Sequence, residues 1–278
     1  MSTDRGSTKS GIAGPPRRLR GRRSGHGPAT AATSDKRLYG PERFDVNFID
    51  SEGREFQEPL IQCWNQPFEA ALPIRSLASY RGKKSFSGLW WLATTSDHVS
   101  YESWLERDHV MALDFDPAVI GLASRPFRLA WRHDGKTRTH TPDLFARLDD
   151  GTAVLIDVLP GDQVELDDLT AWDAITQACD AVGWEFRRVG EMDGVLTANL
   201  RWLSGYRHPR CLDPGRAADL RRVFADGAAL MEGARHVGDP IAVLPTLFHL
   251  LWRQVLRTDL ATTPLWEGSL VRGGGEQP

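Results

Sequence analysis

The stretch that most constrains this chain of 278 residues is Thr141–Pro160, which reads T-P-D-L-F-A-R-L-D-D-G-T-A-V-L-I-D-V-L-P. Two apolar runs, Leu144–Leu148 and Ala153–Leu159, flank Asp149-Asp150-Gly151. Asp-Gly between two such runs is the strongest short-range signal for a β-hairpin, because the tight turn needs residues that tolerate positive φ. The stretch therefore predicts two antiparallel strands joined by a short turn.

Each arm of the predicted hairpin carries one acid. Asp143 begins the first strand and Asp157 lies near the end of the second. Pairing through the turn would bring the two carboxylates to the same end of the sheet. Two carboxylates that meet can share a divalent cation, because hard ions such as Mg²⁺ take oxygen ligands. The alternative is that both are solvated turn acids.

Composition limits the class of protein. Hydrophobic residues make up 41% of the chain, which is enough for a sizeable core. No apolar run approaches the roughly 18 residues that cross a bilayer, and the N-terminus has no apolar signal-peptide core, so we expect a cytoplasmic protein. The cysteines lack C-x-x-C spacing, which argues against a disulfide framework and a zinc site. They are Cys63, Cys179 and Cys211.

Charge is distributed unevenly along the chain, whose net charge is −3. Residues 1–37 contain nine Lys and Arg against two Asp, so the remainder is acidic. This segment is also rich in Gly, Pro, Ser and Thr, which predicts a disordered basic arm. Such an arm either holds nucleic acid loosely through phosphate contacts or serves as a solubilising tail.

Residues 38–99 predict a β-rich extension with a hairpin around Ser51-Glu52-Gly53. Residues 100–212 predict a core in the order α-β-β-β-α-β, with the hairpin of residues 141–160 counted as one β unit. Its elements are a helix from an N-cap at Ser100 to about Leu113, strands at Val119–Leu122 and Phe127–Trp131, the 141–160 hairpin, a helix capped by Asp167 or Asp168 and ended by Gly183, and a strand at Trp184–Val189.

Residues 213–278 differ in character. Pro214–Glu232 predicts an alanine- and arginine-rich helix, and Asp239-Pro240 opens a second helix with apolar residues at helical spacing. Thr258–Arg272 ends in a short strand candidate. Two helices followed by a small hairpin resemble a helix-turn-helix with a wing, a shape that binds DNA or other proteins.

Five motifs follow one another along the chain: S-W-L-E-R-D-H-V-M-A-L-D-F-D-P-A-V, R-P-F, T-P-D-L-F, V-L-I-D-V and L-P-T-L-F-H-L-L-W. Together they resemble the TnsA family of heteromeric transposase endonuclease subunits, over roughly Phe44 to Val271. The resemblance implies an α/β fold of the PD-(D/E)xK nuclease type, with a restriction-endonuclease-like αβββαβ core and a C-terminal helical, winged-helix-like domain.

The resemblance also implies which residues carry the chemistry. The helix glutamate of the family falls on Glu106, with Glu102 one turn earlier as the second candidate. The central aspartate falls on Asp143, which follows Pro142, and the next strand acid falls on Asp157. These three acids would hold Mg²⁺ or Mn²⁺, which polarises a phosphodiester and lowers the pKa of the attacking water.

The family's lysine position is occupied by Leu159. An aliphatic side chain can neither orient a water molecule nor neutralise developing negative charge. Arg187 or Arg188, on the neighbouring strand, could restore the charge without acting as a base, and we take Arg188 as the catalytic candidate. His140 is a further candidate helper or a structural hydrogen-bonding residue.

The function implied by the resemblance is a metal-dependent endonuclease that cuts one strand of double-stranded DNA at each transposon end. Its partners would be a DDE-type transposase subunit and an AAA+ ATPase regulator. The alternative is a catalytically impaired scaffold of nuclease fold, which recruits the ATPase and DNA without cutting. Leu159 is the feature that favours the alternative.

Overall fold

A computed structural model describes residues 43–75, 86–159 and 166–274, without the side chains of 166–169. These ranges form a mixed α/β structure with thirteen strands and seven α-helices. The strands are β1 (Phe44–Ile49), β2 (Glu55–Pro59), β3 (Gly88–Trp91), β4 (His98–Tyr101), β5 (Val119–Ser124), β6 (Phe127–His133), β7 (Lys136–His140), β8 (Leu144–Leu148), β9 (Ala153–Val158), β10 (Glu185–Val189), β11 (Ala228–Ala229), β12 (Leu256–Arg257) and β13 (Leu270–Gly273). The helices are α1 (Leu60–Cys63), α2 (Trp104–Phe115), α3 (Leu166–Val182), α4 (Gly194–Ser204), α5 (Pro214–Val223), α6 (Leu230–Val237) and α7 (Pro240–Trp252).

The hairpin predicted for residues 141–160 is present as β8 and β9, which pair antiparallel. Its turn places Gly151 at φ 87°, a conformation that glycine adopts without steric cost. The hairpin forms the middle of a central sheet with the strand order β10-β9-β8-β5. β10 runs parallel to β9, and α3 provides the crossover between them.

The central sheet is covered on both faces, and every residue of β9 is buried. On one face, Leu155 packs in a cluster with Trp172 and Ile175 of α3. On the other face, Val154 packs in a cluster with Val110 of α2. Burial on both faces is the reason that β9 reads as a continuous apolar run rather than an alternating pattern.

A second sheet has the order β2-β1-β6-β7. The hairpin predicted around Ser51-Glu52-Gly53 supplies β1 and β2. The chain leaves the central sheet after β5, forms the β6–β7 hairpin against β1, and returns at β8. The strand predicted at Phe127–Trp131 therefore lies outside the central sheet, and β7 was not predicted because its sequence, K-T-R-T-H, is polar.

The N-terminus of α2 differs from the prediction. Ser100 lies in β4, and the helix begins at Trp104 with Ser103 as its N-cap. The Ser103 hydroxyl accepts the N–H of Glu106, while the Glu106 carboxylate accepts the N–H of Glu102. Ser103 and Glu106 are three residues apart, which is the spacing of a capping box, although the Glu106 carboxylate accepts the N–H of Glu102 rather than that of Ser103. Two capping hydrogen bonds outweigh a lone serine as an N-terminal signal.

Two other helix boundaries need correction. α3 begins at Leu166, so Asp167 and Asp168 lie inside the helix and neither is its N-cap. Its predicted end is confirmed, because Gly183 adopts φ 75°. The helix predicted for Pro214–Glu232 ends at Val223, because a turn with Gly227 at φ 90° interrupts it before β11 and α6.

The C-terminal helices share one apolar cluster with earlier elements. Leu247 of α7 and Phe224 after α5 pack in the same cluster as Met111 of α2 and Leu200 of α4. α7 begins as predicted, with Asp239 as N-cap and proline at its first position. The boundary at 212/213 stays a prediction. No helix within the described ranges is long and apolar enough to cross a membrane, and the basic arm 1–37 lies outside these ranges.

Candidate active site

The hairpin positions Asp143 and Asp157 opposite each other. Leu144 pairs with Ile156 across the two strands, so the next residues outward are these two acids. Residues directly opposite in an antiparallel pair lie on the same face of the sheet. The Asp143 carboxylate accepts the backbone N–H of Val158 at 2.8 Å, which holds it against β9. The two acids expected to meet at one end of the hairpin therefore do so.

The electrostatics of Asp143 are unusual. The pKa of its carboxyl is raised to about 6, mainly by burial and also by the negative charges of Glu106 and Asp157. The hydrogen bond from Val158 and the positive charge of Arg125 act in the opposite direction. Three acids, from α2, from the position just before β8 and from β9, therefore share one electrostatic environment, in which an added positive charge would be favourable.

Asp157 is almost completely buried, and among the described residues its side-chain partner is His140 at the end of β7. Its Oδ1 atom lies 3.0 Å from His140 Nε2. The histidine that the sequence offered as a helper or a structural hydrogen-bonding residue thus contacts one of the candidate acids. It comes from the second sheet, so this contact links the two sheets at the site.

Glu106 is also buried, and its carboxylate is engaged within the protein. One oxygen accepts the N–H of Glu102 at 2.8 Å and lies 3.3 Å from Nη1 of Arg125. The alternative candidate Glu102 forms a bidentate ion pair with Arg75, at 3.2 and 3.0 Å. Both glutamates are therefore paired with arginines within the protein.

Arg125 is the residue of this site that sequence reasoning missed. Its side chain is fully buried and its φ is 48°. Its Nη2 donates to the Ser100 hydroxyl at 2.8 Å, and its backbone N–H donates to the Asp143 carbonyl at 3.0 Å. A signal was present, because Arg125 interrupts the apolar sequence V-I-G-L-A-S-R-P-F within the quoted R-P-F motif. A lone arginine in such a run needs a buried acidic partner.

The carboxylates have the donor chemistry of a magnesium site, but they are not all arranged as one. Within the described residues, no group of three or more His, Cys, Asp or Glu side chains could hold a metal ion. The contacts explain this result for Glu106, whose carboxylate turns to Arg125. Asp143 and Asp157 remain as a pair, which fits an ion held by two carboxylates and completed by substrate phosphates.

Leu159, two residues beyond Asp157, makes apolar contacts. Leu159 is partly buried and packs against the cluster that contains Leu155, on the face shared with Asp157. Its N–H donates to the Val189 carbonyl at 2.9 Å, which extends the pairing of β9 with β10. A longer side chain at position 159 would project from the face of the sheet that carries Asp143 and Asp157.

The two candidate arginines of β10 lie on opposite faces. Arg188 pairs directly with Asp157 in the parallel register, and its guanidinium lies 4.3 Å from the Trp172 ring centroid. Arg187 pairs with Ile156 and forms an ion pair with Glu185. Only Arg188 therefore belongs to the side of the sheet that carries the acids.

Comparison with known proteins adds no relative, because no protein-family model and no curated protein matches this chain.

Proposed function

We propose that this chain is a Mg²⁺- or Mn²⁺-dependent endonuclease subunit with a restriction-endonuclease-like core and a winged-helix-like C-terminal domain. It would cut one strand of double-stranded DNA at transposon ends, together with a DDE-type transposase and an AAA+ ATPase. The observation that carries the proposal is the partly buried Asp143 opposite the buried Asp157, with the pKa of Asp143 raised to about 6 by desolvation and by neighbouring acids. Such a pair favours a cation.

In this proposal each residue has a separate task. Asp143 and Asp157 hold the ion, which when bound would polarise the scissile phosphate and activate water. Glu106 keeps its ion pair with Arg125 and is not a direct ligand of the ion in this arrangement. Its negative charge acts on the neighbouring Asp143. Arg188 is exposed on the Asp157 side, where its fixed positive charge can contact a phosphate oxygen.

The direct test is metal-dependent nicking of a plasmid that carries the transposon ends, with the transposase and ATPase present. We expect Asp143→Asn to lower the rate by about 10²–10³, the loss typical of one preorganised charged group. Asp149→Asn removes an exposed acid from the turn of the same hairpin and is the matched control. Cleavage by Asp143→Asn at the wild-type rate would refute the assignment.

Arg188 and Arg187 provide an internal comparison for the same assay. Arg188→Ala should slow nicking by about 10²–10³ if its charge replaces the missing lysine. Arg187→Ala should leave the rate unchanged, because this side chain is paired with Glu185 on the other face. An equal loss of nicking rate in the two variants would show that the position of an arginine on the Asp157 face is not required for cleavage.

The second candidate function is a non-cutting scaffold, which the packing of Leu159 against the core favours. The two functions predict opposite results for Leu159→Lys. A scaffold that retains Asp143 and Asp157 should gain Mg²⁺-dependent nicking. The new lysine side chain would project from the same face of the sheet as both acids and bring its ammonium group to them. An active enzyme that uses Arg188 should change little. Leu159→Met keeps the packing volume without charge and is the control.

A further inference from the structure

A groove lies away from the acids, between α5, the segment that follows α7, and β13. Its volume is about 490 Å³, and its charged lining residues are Arg221, Arg253 and Arg257. The rest of the lining is small, apolar or amide in character, and it includes Gly273 and Gly274. No carboxylate and no aromatic ring belongs to the lining within the described part of the chain.

The arginines of this groove are exposed, and none of them has an acidic partner among the described residues. Among the residues that the structure describes, neither Arg221 nor Arg257 forms an ion pair, and Arg253 has one weak bond to the Ala93 carbonyl at 3.4 Å. Arg222, next to Arg221 on α5, forms an ion pair with Asp219, which shows that an arginine of this helix pairs with an acid that lies within its reach. The positive charge of the groove is therefore not neutralised by these residues.

The small sheet adds a fourth arginine to the same surface. Arg257 of β12 lies directly opposite Arg272 of β13, so both side chains project from one face. The other face carries Leu256 and Val271, which are fully buried. Like charges directly opposite on neighbouring strands repel each other, and an anion placed between them would remove that cost.

We propose that the three arginines of the lining, Arg221, Arg253 and Arg257, with Arg272 beside them on the small sheet, form an arginine groove that binds the phosphodiester backbone of duplex DNA. Guanidinium groups match phosphate oxygens with two parallel hydrogen bonds. The absence of aromatic lining argues against stacked bases and for backbone contacts, which position DNA without reading its sequence. This site shares no residue with the candidate acids, so it goes beyond the proposed cleavage function.

The test is binding of a fluorescent duplex of about 20 base pairs to the full chain in EDTA, measured by anisotropy over a series of salt concentrations. Each phosphate contact adds about 0.9 to the slope of log K against log salt. We expect Arg253→Gln with Arg257→Gln to lower the slope by about 2 and to weaken binding at least tenfold at low salt. The matched control is Arg128→Gln with Arg132→Gln, which removes two exposed charges from β6.

The outcomes separate the possible sources of phosphate and the two sites. Recovery of the slope in Arg253→Lys with Arg257→Lys would support charge-based contact with the backbone. An unchanged slope in the glutamine variant, or binding of pyrophosphate but not of duplex, would overturn the proposal. Asp143→Asn should bind with the wild-type slope in EDTA. If it does so and also cuts at the wild-type rate, the cleavage function fails while the groove stands.

Discussion

The end of the central sheet that carries Asp143 and Asp157, here called the acid end, and the arginine groove carry opposite charges. They differ in whether those charges have partners within the protein. At the acid end, Glu106, Asp157 and Arg125 are buried, and each has a charged or polar partner in the protein. In the groove, Arg221 and Arg257 are exposed and form no ion pair among the described residues. Burial is what separates the two regions.

The physical reason is the cost of desolvation. A buried charge without a partner costs several kcal/mol, so it is paired or protonated. Asp143, which is partly buried, shifts toward the second response, because its pKa rises to about 6. An exposed arginine keeps its water and stays unpaired at little cost. At the acid end, protein side chains therefore pair with most of the buried charges. The exposed arginines of the groove are available to bind an anion from solution.

The largest effect that would test this comparison is expected at Arg125. Arg125→Leu leaves Glu106 buried without its cationic partner, so we expect the free energy of unfolding to fall by about 3–5 kcal/mol. Urea denaturation at neutral pH measures the change. The same substitution in the groove, Arg253→Leu, is the control and should stay within about 0.5 kcal/mol of wild type. Similar losses in both variants would show that burial does not distinguish the regions.

An intermediate effect is expected from the pH dependence of Asp143. Its folded pKa of about 6 lies above the ordinary value of 3.8, so the folded protein retains a proton that the unfolded chain releases between these values. Stability therefore falls as the pH rises from about 4 to about 6, and the cost persists above that range.

Asp143→Asn removes this cost because its side chain does not ionise. We expect the variant to exceed wild-type stability by up to about 3 kcal/mol at pH 7.5, and the difference to vanish below pH 4. Denaturation at a series of pH values measures it, and Asp149→Asn in the exposed turn should follow the wild-type curve. A variant less stable than wild type at pH 7.5 would contradict the assigned repulsion.

The smallest effect is expected at the cross-strand arginine pair. Arg272→Gln removes one of two like charges that face each other, so it should raise stability by about 0.2–1 kcal/mol at low salt. Thermal melts with and without pyrophosphate measure the change, because an anion in the arginine groove should stabilise wild type more than the variant. Arg128→Gln on β6 is the control. A loss of stability in Arg272→Gln would show that the pair is not repulsive.

The acid pair could be predicted from sequence because it depends on local geometry. Asp149-Asp150-Gly151 determines the turn, and the turn determines the register that places Asp143 opposite Asp157. The capping box at α2 was equally readable from Ser103 and Glu106, although the lone Ser100 was preferred. These features involve residues within one hairpin or one helical turn, where few chain conformations compete.

The sequence by itself determined the hairpin, the acid pair and Leu159 beside them. Only the tertiary structure decided that the β6–β7 hairpin joins a second sheet, that Arg125 pairs with Glu106, and that arginines from α5, from β12 and from the segment after α7 line one groove. These contacts join residues far apart in the chain. They form when separate apolar faces are buried together, and a local pattern of residue types does not specify which faces will meet.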